Sequence, residues 1–303
     1  MEVIQTTTIK QEQPANLADE APRVIVVTGS NKGIGYGITE NILKNRPTWK
    51  IVMTSRTPSN GTNAIAQLKE QFPDADSRIQ LIQLDLLSKE SINNFVTQLK
   101  ELYPQGVDVH INNAGVAFRG KMNAEMIDKT MDTNFYKTIE LTEALLKAGL
   151  IKPQGKVINI SSTLGRLKRL SKRNPEALEF LSGYKEGKVA LEGLFELVER
   201  CGEELKDIKM SRNWPGSVYG LTKLYLSIWT YLRSRAEDLL GSKTQLYCCC
   251  PGWCKTDLTK GTKAPNTIQD GALTPCYLAY ELPFELDLEK QGKFFFEKKI
   301  NAL

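Results

Sequence analysis

The sequence predicts an α/β fold, a doubly wound parallel sheet in a single domain, and three observations carry that expectation. Short runs rich in β-branched residues, the first being Arg23-Val24-Ile25-Val26-Val27-Thr28, read as strands buried on both faces. Stretches of helical length and pattern separate these runs, which implies parallel pairing. A glycine string, Gly29-Ser30-Asn31-Lys32-Gly33-Ile34-Gly35, joins the first strand to the first helix.

The bulk numbers agree. A chain of 303 residues, 41% apolar and 25% charged, has the composition of a globular protein able to bury a core. No apolar run approaches the roughly 18 to 20 residues that span a bilayer. The net charge of +5 is mild and spread out, so neither nucleic acid nor membrane is an expected partner. The densest basic run, Arg166-Leu167-Lys168-Arg169-Leu170-Ser171-Lys172-Arg173, reads as a solvated face. Six cysteines, three of them adjacent at Cys248, Cys249 and Cys250, lack zinc-type or disulfide-framework spacing. Reduced thiols in a cytoplasmic protein fit them, and no metal is expected. The single histidine, His110, rules out a multi-histidine metal site and reads as structural within a strand.

Residues 1–22 are polar, carry no secretory or transit pattern, and read as a disordered extension. The domain then occupies 23–303. Between a buried strand and a helix running to about Asn45, the glycine string suits a pyrophosphate, because glycines admit close backbone approach and a helix N-terminus offers free N–H groups. This is the start of a Rossmann-type fold. The next strand, 50–55, ends at Arg56, where an acid would hold a ribose 2′-hydroxyl; an arginine suits a 2′-phosphate, and Lys32 adds a second positive charge. NADP(H) is thereby favoured over NAD(H). A helix at 62–72, a strand at 78–84, Asp85 and a helix from Ser88 to Leu102 follow. After a strand at 107–111 come Asn112-Asn113-Ala114-Gly115. A long helix through Asn134 to about Gly149 leads to the strand 156–160 and Ser161-Ser162. Gly29, Asp85, Asn113 and Ser162 all fall at carboxyl ends of strands, where ligands of such sheets bind.

Farther on, Trp214-Pro215-Gly216 marks a turn before Ser217-Val218-Tyr219-Gly220-Leu221-Thr222-Lys223. Tyr219 and Lys223, four apart, share a helix face, and a neighbouring ammonium is expected to lower a phenol's pKa from about 10. Tyr184-Lys185-Glu186-Gly187-Lys188 repeats the spacing, but its polar, glycine-containing surroundings read as a loop or the start of a solvated helix.

Thr28 through Gly35, Asn112-Asn113-Ala114-Gly115, Asn134, Ser162 and Tyr219-x-x-x-Lys223 together resemble the ordered signature of the short-chain dehydrogenase/reductase superfamily. Trp214-Pro215 before the tyrosine segment and Cys249-Cys250-Pro251-Gly252-Trp253 look like the monomeric NADPH-dependent carbonyl reductases. The match runs from about residue 23 to the C-terminus. The resemblance implies reversible hydride transfer between NADPH and a carbonyl carbon of a ketone, aldehyde or quinone. Catalytic roles are implied for Asn134, Ser162, Tyr219 and Lys223, with the second serine of the pair favoured over Ser161. Cofactor contacts are implied for Gly29, Asn31, Lys32, Gly33, Ile34, Gly35, Arg56, Asp85, Leu86, Asn113, Ala114, Gly115, Tyr219, Lys223, Pro251, Gly252, Trp253 and Thr256. The resemblance also favours Tyr219 over Tyr184, because the tyrosine helix should feed the next strand, 244–250, and its Pro251-Gly252. Relatives place a cysteine near the active-site mouth at the position of Cys250, which reads either as a reactive thiol or as an inert buried one. Residues 165–217 form an insertion with a helical segment near 191–205; in the reductases it resembles, a comparable insertion covers the oligomer surface, which implies a monomer. Two alternatives are a reductase dedicated to one terpenoid, alkaloid, steroid or lipid ketone, and a non-catalytic NADPH-binding regulator.

Overall fold

The computed structural model describes residues 22–170 and 173–303. The expected extension over 1–22, apart from Pro22, and Ser171 and Lys172 of the basic run lie outside them. The chain order is β1 (Val24–Val27), α1 (Gly33–Asn45), β2 (Lys50–Ser55), α2 (Pro58–Gln71), the single turn α3 (Ala75–Arg78), β3 (Ile79–Gln83), α4 (Lys89–Leu102) and β4 (Val107–Asn112). Then come α5 (Ala124–Met131), a π-helical segment (Asp132–Tyr136), α6 (Lys137–Lys147) and β5 (Ile151–Ile160). The insertion contributes α7 (Pro175–Ser182) and α8 (Leu191–Lys206), and the chain continues with α9 (Val218–Arg233), α10 (Glu237–Ser242) and β6 (Gln245–Cys250). It ends with α11 (Ile268–Cys276), β7 (Phe294–Phe296) and β8 (Lys299–Asn301).

Eight strands form one sheet in the order β3-β2-β1-β4-β5-β6-β7-β8. Every neighbouring pair is parallel except β7 with β8, an antiparallel edge made by a short hairpin. The strand order reverses between β1 and β4, so the carboxyl ends of those strands open a crevice. One apolar layer lies under α4 to α6, α8 and α9, the other under α1, α2 and α11.

Local chemistry explains several boundaries. Ser88 caps α4 by accepting from the Ser91 N–H at 3.1 Å. Pro58 opens α2 at its first turn, four residues earlier than the periodicity suggested, because proline is tolerated where the N–H has no partner. The long helix expected through Asn134 is interrupted by the π-helical segment, which carries Asn134.

The insertion is ordered structure against α5 and α9. Leu194, Val198 and Cys201 of α8 are fully buried. The Phe195 ring lies 5.5 Å from that of Phe135 in the π-helical segment. Trp214 is fully buried, and its indole N–H donates to Glu204 at 2.8 Å, tying α8 to the turn before α9. At the other end of α9, Arg233 bonds Glu143 of α6 and Asp238 of α10. Two expectations fail here. Tyr184 is no solvated residue: it is 5% exposed and its ring meets Tyr231 of α9 edge-on at 4.9 Å. The basic run is no uniform solvated face either, because Leu170 within it is fully buried.

Candidate active site

The glycine loop is held from two sides. The Ser30 hydroxyl donates to the Val27 carbonyl and accepts from the Thr54 N–H, and the Gly29 N–H donates to the Thr54 hydroxyl at 3.0 Å. From β4, the Asn113 amide donates to the Thr28 and Gly29 carbonyls at 2.8 and 3.2 Å, while Thr28 accepts from the Asn113 and Ala114 N–H groups. Gly29 has φ of +61°, a conformation glycine adopts without strain. Gly35 leaves no room for a side chain: a Cβ there would stand 2.5 Å from Asn113 Nδ2 and 2.8 Å from the Gly29 oxygen. Asn31 and Lys32 lead into α1, whose N-cap, Lys32, offers no side-chain acceptor, and no acid occupies its first turn. Gly33, Ile34 and Gly35 therefore present N–H groups suited to an anion.

At the end of β2, Arg56 is exposed, and no ion-pair partner for its guanidinium stands among the described residues. Lys32, expected to add free positive charge, is instead paired with Asp257 at 2.7 Å, both side chains largely exposed. Asp85 accepts from the Leu87 N–H at 3.0 Å, and Leu86 turns its side chain into the apolar layer at 6% exposure.

The strand ends of β5 and the start of α9 bring the second group together. Ser217 caps α9, accepting from the Gly220 N–H at 3.0 Å, and so fixes where Tyr219 emerges. The Ser162 hydroxyl accepts from the Leu164 N–H at 3.1 Å and stands beside the Tyr219 phenol, where it favours the phenolate, an effect that burial outweighs. Ser161 faces the other way, fully buried, donating to the Lys223 carbonyl and bonded to Ser227. Lys223 is 3% exposed, its ammonium donating to the Ile160 carbonyl at 2.6 Å and lying 5.7 Å from the Tyr219 ring centre. Ile160 is the one hydrogen-bond partner its three N–H donors have among the described residues. A buried ammonium so sparsely satisfied fits a hydroxyl-bearing ligand such as the ribose of a dinucleotide.

Electrostatics corrects one expectation. Burial pushes the Tyr219 phenol up to about 12, with no lowering from Lys223, whose charge is turned toward Ile160. Burial likewise lowers Lys223 to about 8. The Asn134 side chain grips the Val116 backbone, its Oδ1 accepting from the Val116 N–H and its Nδ2 donating to the Val116 carbonyl, each at 2.8 Å, and its Nδ2 also donates to the Thr222 hydroxyl of α9 at 3.3 Å. It thus anchors the loop after β4 beside Gly115.

The far wall is the loop after β6. Pro251 and Gly252 lead to Trp253, 52% exposed, and to Thr256, whose side chain faces Gly33. The same loop is tied to the loop after β4, where Arg119 donates to the Leu258 carbonyl at 3.0 Å and also to that of Lys260. Neither Arg119 nor Asp257 was visible as a site residue, because their partners lie 139 and 225 positions away. Cys250 is 2% exposed, accepting from the Gly252 N–H at 3.3 Å, so its thiol is covered. His110 lies outside this cleft, fully buried, with Nε2 on Asn112 at 2.8 Å and a neutral ring whose pKa burial lowers to about 4.

A family model described as short chain dehydrogenase matches residues 23–229. Carbonyl reductase (NADPH) 1 of Sus scrofa is 36% identical over 287 residues, 92% of this chain and 93% of that protein. The Homo sapiens protein of that name is 34% identical over 287 residues, 91% of this chain and 97% of its own. Among solved structures, salutaridine reductase from Papaver somniferum shares the fold with a TM-score of 0.77 at 23% identity, covering 91% of this chain and 99% of its own. The NADPH-bound carbonyl reductase from chicken fatty liver has a TM-score of 0.64 at 20% identity, covering 93% and 99%.

Proposed function

The chain belongs to the short-chain dehydrogenase family, and from that premise we propose that it is an NADP-dependent oxidoreductase reducing ketones, aldehydes or quinones to alcohols. The observation that carries the reading is the convergence of Ser162, Tyr219 and Lys223 at the carboxyl end of β5, across from the glycine loop. The 34–36% identity to the NADPH carbonyl reductases supports the choice of cofactor and of substrate class.

Bound NADPH supplies the hydride. The pyrophosphate would lie on the N–H groups of Gly33, Ile34 and Gly35, with Asn31 beside them. Arg56, and Lys32 once released from Asp257, would hold the 2′-phosphate. Asp85 and Leu86 would flank the adenine through their backbone, and Asn113, Ala114 and Gly115 the ribose-side edge. Lys223 would hold the nicotinamide ribose, and Pro251, Gly252, Trp253 and Thr256 the nicotinamide end. The substrate carbonyl oxygen gains negative charge as it is reduced; Ser162 donates a hydrogen bond to it and Tyr219 gives up the proton. Asn134 keeps the loop after β4 in place, and, as the resemblance implies, would support a water that leads protons in from solvent. The six buried free thiols fit a reducing cytoplasmic compartment, and no described helix is long and apolar enough to cross a membrane.

Purified protein should oxidise NADPH with menadione, isatin or aromatic aldehydes, and NADH far more slowly. Equal rates with the two cofactors would contradict the Arg56 assignment. NADPH binding without turnover of any of them would point to a reductase of a single dedicated ketone or to a non-catalytic NADPH-binding regulator.

A further inference from the structure

A cavity of about 280 Å³ lies against α9 on the flank away from the Tyr219–Lys223 face, between that helix and the basic run after β5. Its apolar walls include Leu170, Leu221 and Leu224, all at most 3% exposed, together with Leu164. Arg166 and Arg169 line it as well, and among the described residues no acidic one does. Neither guanidinium has a carboxylate partner among the described residues; Arg166 has a distant ring contact with Phe294 at 6.0 Å. The cavity is smaller than a drug-sized pocket yet large enough for a short alkyl or aryl body. Two cations without a carboxylate partner among the described residues, beside an apolar pocket, form an amphipathic receptor: guanidinium groups bind carboxylate or sulfonate oxygens with charge-assisted hydrogen bonds, and the leucines take the hydrocarbon. The cavity faces away from Tyr219 and Lys223, because α9 turns those two to one side and Leu221 and Leu224 to another, and it adjoins the cleft at Leu164, whose N–H bonds Ser162, and at Ser217.

We propose that this cavity is a second binding site, for a small organic anion with an apolar body, held by Arg166 and Arg169. The test is calorimetric titration of sodium octanoate into the full-length protein saturated with NADP⁺ at low salt. One octanoate should bind per chain; Arg169→Glu and Arg166→Gln should each weaken it about tenfold or more, and 1-octanol should bind at least about tenfold more weakly than octanoate. Both variants should keep wild-type thermal stability and NADPH turnover, since neither side chain belongs to the reductase site. The proposal is overturned if octanoate does not bind, if both variants bind it like wild type, or if a ketone substrate displaces it, which would put the carboxylate in the reductase cleft.

Discussion

A phenol held at about 12 stays protonated at neutral pH, the form in which Tyr219 has a proton to give. Of the two adjacent serines, Ser162 is the one beside this phenol, while Ser161 is turned inward onto the Lys223 carbonyl and Ser227. Ser162→Ala should lower kcat about 10²- to 10³-fold, the usual cost of losing one such donor, whereas Ser161→Ala should act on thermal stability; the two kcat values decide between them, and a larger loss in Ser161→Ala would reverse the assignment. His110 sets a stability limit rather than a rate. Unfolded, its imidazole takes a proton below about 6.5; folded, it stays neutral down to about 4. The stability it contributes is whole above pH 6.5 and is lost as pH falls toward 4, up to about 3 kcal/mol. Urea unfolding at pH 7.5 and 4.5 should show a smaller difference for His110→Gln than for wild type, and equal differences would place the acid sensitivity elsewhere.

At the scale of elements, the first βαβ unit is the part most readily seen in the sequence, because its strand, its glycine spacing and its helix are local. Gly35→Ala should test the unit's tightest contact. A methyl 2.5 Å from Asn113 Nδ2 must push the loop from β4, costing about 1–3 kcal/mol in denaturant unfolding and weakening NADPH binding; unchanged affinity would mean the loop does not hold the cofactor. Elements that depend on distant partners were harder to read. Tyr184 looked solvated because Lys185, Glu186 and Gly187 surround it in sequence, while Tyr231, the ring that covers it, comes 47 positions later. The π-helical turn at Asn134 sits where its side chain bonds Val116 and Thr222, partners that no period reveals. The α7 helix did carry a legible signal, Asn174 as cap followed by Pro175. So did α11, with Thr267 and Asp270 bonded reciprocally at its start. Of the candidate site residues, Gly29 to Gly35, Ser162, Tyr219 and Lys223 could be picked out by motif; Arg119 and Asp257 could not.

For the whole molecule, α8 packs against α5 and α9 through buried Leu194, Val198 and Cys201, and we propose that this covering of their apolar faces keeps the chain a monomer. Light scattering should therefore give a mass near 34 kDa, and a stable dimer would contradict this role for the insertion. The sheet and its loops bring Ser162, Tyr219 and Lys223 opposite the glycine loop, and the proposed mechanism turns on Tyr219 delivering the proton. The most direct test is NADPH-dependent carbonyl reduction by wild type and Tyr219→Phe at matched cofactor occupancy. Turnover should fall about 10²- to 10⁴-fold in the variant with NADPH affinity retained. A Tyr219→Phe protein that turns over at the wild-type rate would show that the proton comes from another group.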